Sequence, residues 1–163
     1  RHFVDTIRES GSATSVIARV PHSSGLLNEQ VTPDTVLEDG DHRSHRPREW
    51  YETGWEKVEA IRFLEDPEGV EGTRTMAQAA IRWLLAHDEV ASVTPTFRDG
   101  DDIAEWSAAA DVPPISDAEY ERLDDLYARN FDVDRDDGMD VLRTSVDGED
   151  IEAAGLDKRA ASY

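Results

Sequence analysis

The sequence predicts an α/β fold in which parallel strands are covered by helices. Three observations carry this. Short β-rich runs alternate with longer stretches of helical periodicity, the pattern of a parallel sheet. The strands number only two, too few for a free-standing parallel sheet, whose strands are buried on both faces and whose edges need cover. The chain has 163 residues, which suits one domain but falls short of the about 250 that a closed eight-stranded α/β barrel requires. The expected architecture is therefore part of a larger α/β fold, incomplete on its own.

Each element has a local reason. Phe3, Val4 and Ile7 recur at helical spacing, so residues 2–10 read as a helix stopped by Gly11. Ser15–Val20 is β-rich and closed by Pro21, which predicts a buried strand. Residues 21–47 mix Gly, Pro, Ser, Asp and His without periodicity, a loop long enough to suggest function. Pro47 suits the first position of the next helix, whose apolar face is Trp50, Gly54, Val58, Ile61 and Leu64 and which ends before Pro67. Thr75 and Gln78 form a capping box for a helix with Met76, Ala79, Ala80, Trp83, Leu84 and Ala86 inward. Val90–Thr94 is the second strand, cut by Pro95. Residues 100–110 form a helix, and Ser116 with Glu119 caps another that runs to about Arg129. The stretch 130–163 holds ten acids against four bases and little periodicity, so it reads as an acidic, weakly structured tail.

Composition narrows the function. The formal net charge is −20, which opposes nucleic acid, since phosphate binding needs a basic surface that releases counterions. It equally opposes anionic membranes, and no apolar run approaches the roughly 18 residues of a spanning helix. The absence of a basic-then-apolar start predicts a cytoplasmic protein. Cysteine is absent, which excludes disulfides, thiolate nucleophiles and Cys-ligated metals. Arginine outnumbers lysine fifteen to two, and Asp exceeds Glu, 21 to 16. Such a surface repels itself in dilute buffer but is screened in molar salt, where the Debye length is about 3 Å. The chain reads as haloadapted.

Several long segments, in one collinear order, carry a family resemblance. They are SVIARVPHSSGLL (15–27) with its loop through Gly40-Asp41-His42-Arg43-Ser44, EWYETGWEKVEAIRFL (49–64), TMAQAAIRWLLAHDEVASVTP (75–95) and DVPPISDAEYERLDDLYAR (111–129). Together they resemble the late-barrel portion of the aldo/keto reductases. The resemblance implies a partial (β/α)8 TIM barrel: the last two strands and their helices over residues 1–129, with 130–163 as a tail. It implies NADP(H) as cofactor and carbonyl reduction of aldehydes or ketones as the activity of the whole enzyme.

The resemblance places the cofactor in two loops at the C-terminal ends of the strands, where barrel enzymes keep their active sites. From the first loop it implies Arg19, Val20, Pro21, His22, Ser24, Gly25 and Leu26. An aromatic residue commonly stacks on the nicotinamide where Arg19 stands; the guanidinium plane of Arg19 could take that place. Ser23, Ser24 and the Gly25 backbone suit a pyrophosphate. Glu29-Gln30 replaces a Gly-Lys pair of the family. From the second loop it implies Thr96, Arg98, Asp102 and Glu105. Arg98 keeps a basic residue that meets the adenosine 2′-phosphate, for which a guanidinium fork is suited, and the helix beginning near Gly100 adds its positive end. Asp102 and Trp106 stand where the family carries Gln and Asn.

The family's catalytic Tyr, Asp, Lys and His lie on the first half of the barrel, which these segments do not match, so no catalytic residue is expected here. Tyr51, Tyr120, Tyr127 and Tyr163 read as packing or surface residues. Lys57, beside Glu56 and Glu59, reads as a solvated ion pair. His42 and His45 are too sparse for a metal site. Asp132–Gly138 lacks the glycine and final Glu of a calcium loop, and the acidic flanks of 75–98 oppose a helix-turn-helix. The leading reading is the late part of an aldo/keto reductase, completed by a complementary barrel half or by self-association. The rivals are an inactive remnant that binds a dinucleotide or a protein, and a helical interaction module without redox chemistry.

The charge pattern makes one prediction. The melting temperature should rise between roughly 0.1 M and roughly 2 M KCl, followed by circular dichroism. A melting point that stays level or falls would remove the haloadapted reading.

Overall fold

The computed structural model describes residues 2–44 and 46–133. The predicted tail from residue 134 onward, with most of the Asp132–Gly138 motif, and His45 lie outside the described residues. The chain is an α/β structure built in the order α1 (His2–Ser10), β1 (Val16–Arg19), α2 (Arg48–Ala60), α3 (Met76–Leu85), β2 (Val90–Thr94), α4 (Gly100–Ser107) and α5 (Asp117–Ala128). Among the described residues no helix is long and apolar enough to cross a membrane.

Local chemistry explains the helix starts. Thr75 accepts from the Gln78 N–H while the Gln78 side chain reaches back to the Thr75 N–H, and Ser116 and Glu119 do the same for α5. Each box satisfies donors that the first helical turn leaves open. Pro47 sits one residue earlier than expected, in extended conformation just before α2, since its ring needs no N–H partner there.

The two strands pair in parallel, with Ile17 opposite Ser92, Ala18 opposite Val93 and Arg19 opposite Thr94. The expectation of a buried strand needs correction, because Ile17 is 66% exposed. Among the described residues only these two strands form the sheet, so nothing covers the far face of β1. Arg8 on α1 holds the other end of the unit by a two-pronged contact to Glu89, at 2.7 and 3.1 Å, just before β2.

The main core joins the long loop to the helices: Leu26, Val31, Tyr51, Val58, Leu64, Met76, Ala79 and Ile115. Leu26 presses so closely on α2 that a Cβ at Gly54 would lie 2.5 Å from its Cδ1. A second cluster, Ala77, Ile81, Trp106 and Ala109, fastens α4 onto the opposite side of α3. Ala86, expected inward, is exposed.

One buried cation ties three segments together. Arg74 is 3% exposed and sits immediately before the α3 cap. Its Nε donates to the Leu64 carbonyl, its Nη1 to the Pro113 and Pro114 carbonyls at 2.9 and 2.7 Å, and its Nη2 to Glu119. The other Glu119 oxygen accepts from the Ser116 N–H and hydroxyl, at 2.8 and 2.9 Å. Both charges are thus desolvated and fully engaged. A pair of this kind adds little net stability against an apolar replacement of both partners, but losing one partner strands the other.

Arg74→Ala should therefore cost about 3–5 kcal/mol in urea unfolding, while a joint Arg74→Met, Glu119→Leu variant should recover much of that loss. Equal destabilisation by the single and the double change would show that the pair is not what locks α5.

Candidate functional site

The loop that leaves β1 turns through an unusual backbone. Val20, Ser23 and Ser24 have φ of 54°, 48° and 58°, Gly25 has 100° and Glu29 has 56°. Left-handed conformations in non-glycine residues, a β-branched one above all, store about 1–3 kcal/mol each and concentrate at functional sites. The surroundings hold the loop in this shape. Leu26 and Val31 are buried core residues, the Val31 N–H donates to the Gly25 carbonyl at 3.0 Å, and Glu29 pairs with Arg62.

Gly25 forms the closest part of this turn. A Cβ there would stand 3.0 Å from the Val31 side chain and 3.1 Å from Nη1 of Arg43. Only a glycine lets the guanidinium come this near the main chain. Arg43 is anchored by Asp41, with Nη2 to Oδ2 at 2.6 Å and Nε to Oδ1 at 2.9 Å, which holds the Asp41 carboxyl well below the usual carboxylate range. Arg43 lies in the matching loop without an expected role; the basic run at 42–48 inside so acidic a chain is the signal in the sequence that points to it.

The two expected loops meet. With its amide oriented so that both ends find partners, Gln30 accepts from Nε and Nη2 of Arg98, each at 3.0 Å. Arg98 also donates to Asp102, from its backbone N–H at 2.9 Å and from Nε at 3.2 Å. The side chain of Arg98 remains 61% exposed, that of Asp102 only 11%. Asp102 keeps the Arg98 guanidinium raised from its ordinary value, and Arg98 lowers the Asp102 carboxyl. The start of α4 is capped from within, since the Asp99 side chain accepts from the N–H groups of Asp101 and Asp102. The anion seat expected there is therefore filled by the chain's own carboxylates.

The remaining expected residues fall into two groups. Arg19, Val20 and Thr96 are exposed at the strand ends; Arg19 and Val20 line an apolar cleft of about 360 Å³ that continues past Pro21 and Leu27 to α3 and α5. Pro21, His22, Gly25 and Leu26 are buried. Glu105 accepts from the Thr75 hydroxyl at 2.6 Å, and its carbonyl takes the Gln78 amide at 3.0 Å, so it joins α4 to the cap of α3. Trp106 is buried against His22, ring centres 4.7 Å apart.

The tyrosines and the lysine also find places. Tyr51 donates to the Arg43 carbonyl at 2.7 Å and Tyr120 to the Trp83 carbonyl at 3.1 Å. Lys57 differs from expectation: half-buried, it donates to Asn130 at 2.9 Å, and burial pushes its ammonium below its ordinary value. The turn after α5 brings Asn130 over this helix, which local charge counting could not foresee.

The sequence matches the aldo/keto reductase family over residues 2–128. Among solved structures it is similar to the apo form of an aldo-keto reductase from Bacillus halodurans, at 22% identity and a TM-score of 0.47, across 75% of this chain and 36% of that one. The chain thus spans about a third of the length of that relative. No curated protein matches the sequence.

His22 gives the site a pH signature. Burial depresses its imidazole, opposed by a hydrogen bond to the Ala77 backbone and by the charges of Glu105 and Asp102. Neutral His22 therefore contributes stability that is present above the unfolded-state value of about 6.5 and is lost as pH falls through the lower folded value. The melting temperature should drop through that acid range, and His22→Phe should flatten the drop. An unchanged acid limb in the variant would mean that other groups govern it.

Proposed function

The chain belongs to the aldo/keto reductase family, and on that premise we propose that it forms the dinucleotide-binding late part of an oxidoreductase that reduces aldehydes and ketones. The observation that carries this reading is the meeting of the two strand-end loops. Arg43 lies against Gly25 on one side and Gln30 meets Arg98 on the other, so each loop brings a guanidinium to the strand ends. A glycine turn crossed by cations suits a pyrophosphate, which needs close backbone approach and positive charge. The residues present fit that end of a dinucleotide.

When bound, a nicotinamide dinucleotide supplies the hydride for carbonyl reduction. This chain's residues bind and orient it. Ser24, Gly25 and Arg43 would hold the diphosphate, and the exposed guanidinium plane of Arg19 would lie under the nicotinamide end. The buried pair His22 and Trp106 keeps both loops seated on α3 and α4. The resemblance implies NADP(H), with Arg98 meeting the 2′-phosphate; the acids around Arg98 make the choice of dinucleotide a separate question. Proton donation to the carbonyl falls to residues outside those matched here.

The uncovered strand edges support a partner. Ile17 and Val20 are 66% and 48% exposed, and a two-stranded parallel sheet seeks further strands. A complementary barrel half or a second copy would supply them, in the cytoplasm of a salt-adapted cell. A second reading, a binding module without turnover, draws support from the way Arg98, Asp102 and Gln30 already satisfy one another.

Fluorescence titration with reduced dinucleotide in roughly 2–3 M KCl tests the proposal. Saturable binding, weakened when Gly25→Val closes the turn, is the expected result, with sedimentation reporting association in the same samples. A folded chain that binds neither NADH nor NADPH would sink it.

A further inference from the structure

We propose that Asp102 makes this site selective for NAD(H) over NADP(H). The inference rests on the dinucleotide reading above and narrows it to the cofactor with a free ribose 2′-hydroxyl.

A 2′-phosphate would meet groups that already satisfy one another. Arg98 is the cation available to it, yet the edge formed by Nε and Nη2 already faces Asp102, at 3.2 and 3.4 Å, and the Gln30 amide oxygen, at 3.0 Å from each. Asp102 cannot swing aside freely. It is 8% exposed, and it also holds the Arg98 backbone N–H at 2.9 Å. Withdrawing it would leave that N–H and a buried carboxylate without partners, which is costly.

The neighbouring groups reinforce this. Asp99 and Asp101 stand on the same first turn, and the Asp99 carboxylate takes up the N–H groups of Asp101 and Asp102. A helix start normally favours anions through open N–H donors and its positive end. Here two of those donors are spent on Asp99, and Asp101 and Asp102 add further negative charge to the same turn. A dianionic phosphate would have to displace the Asp102 carboxylate from Arg98 and remain close to the Asp99 cap.

A ribose 2′-hydroxyl meets none of this resistance. It is neutral, and it can donate to a carboxylate oxygen, which is how acidic residues read the ribose of NAD in dinucleotide sites generally. Asp102, held in place by Arg98, presents such an oxygen in a fixed position. The Arg98–Asp102 pair thus works as a screen, with the cation positioning the acid instead of receiving the phosphate.

The test titrates NADH and NADPH against the wild type, Asp102→Asn and the double variant Asp102→Asn, Arg98→Ala, with circular dichroism confirming the fold of each. The wild type should bind NADH at least about tenfold tighter than NADPH. Asp102→Asn should tighten NADPH about tenfold, and adding Arg98→Ala should remove that gain. Should the variants fold poorly, the wild type alone still decides: its preference for NADH should narrow as KCl is raised and repulsion is screened. NADPH binding as tight as NADH in the wild type, or a preference unmoved by both the substitution and salt, would overturn the proposal while leaving the dinucleotide site intact. Binding of neither by folded protein would overturn the dinucleotide reading and this inference with it.

Discussion

The position of every element around the site depends on where the Arg74 guanidinium is buried. It is a cation in the interior, tolerable only because three carbonyls and one carboxylate converge on it. Those oxygens come from the turn after α2, the Pro113-Pro114 segment and α5. Once they are fixed, the cap of α3 is fixed next to them, and α3 in turn presents Ala77 and Ile81, against which Trp106 and Ala109 pack with His22 beside the Trp106 ring. Apolar packing alone is forgiving of small shifts, whereas a forked donor is not. The buried ion pair therefore acts as a register pin, and hydrophobic burial supplies the stability around it.

The site itself is an arrangement of charges that satisfy one another. Arg43 is held by Asp41, Arg62 by Glu29, and Arg98 by Asp102 and Gln30. A chain of net charge −20 has more carboxylates than cations, so an arginine beside a loop finds an acid unless the fold prevents it. The consequence is a pre-organised but guarded site. The strained turn through Val20, Ser23 and Ser24 is kept in shape by Leu26 and Val31 beneath it. On the proposed dinucleotide reading, a ligand has to coexist with the acids already seated there.

How much of this was legible varied with the distance over which each interaction acts. Both capping boxes were visible because their partners lie three residues apart. The parallel pairing of Val16–Arg19 with Val90–Thr94 followed from the alternation of strands and helices, and the two loops were located by resemblance over long collinear segments. The burial of Arg74 was not visible, since its oxygen partners lie 10 to 45 residues away and an arginine is by default a surface residue. Lys57 misled for the same reason: its neighbours Glu56 and Glu59 suggested solvent, while Asn130 waited across the fold. Ile17 erred in the opposite direction, because β propensity predicts burial without knowing whether another strand or helix arrives to provide it.

The sequence by itself determined the local grammar of this protein: where helices begin and end, that two strands run parallel, the family to which the order of segments is similar, and the acidic character of the chain. These depend on neighbours within a turn or on sums over the whole chain, and both are written in one dimension. Tertiary structure alone decided which charges are buried and with whom. That Gln30 closes on Arg98, that Asp102 occupies the seat expected for an anion, and that Arg43 comes to lie against Gly25 all arise from segments brought together in space. Electrostatic partners are chosen by distance and desolvation, and neither quantity exists until the chain has folded.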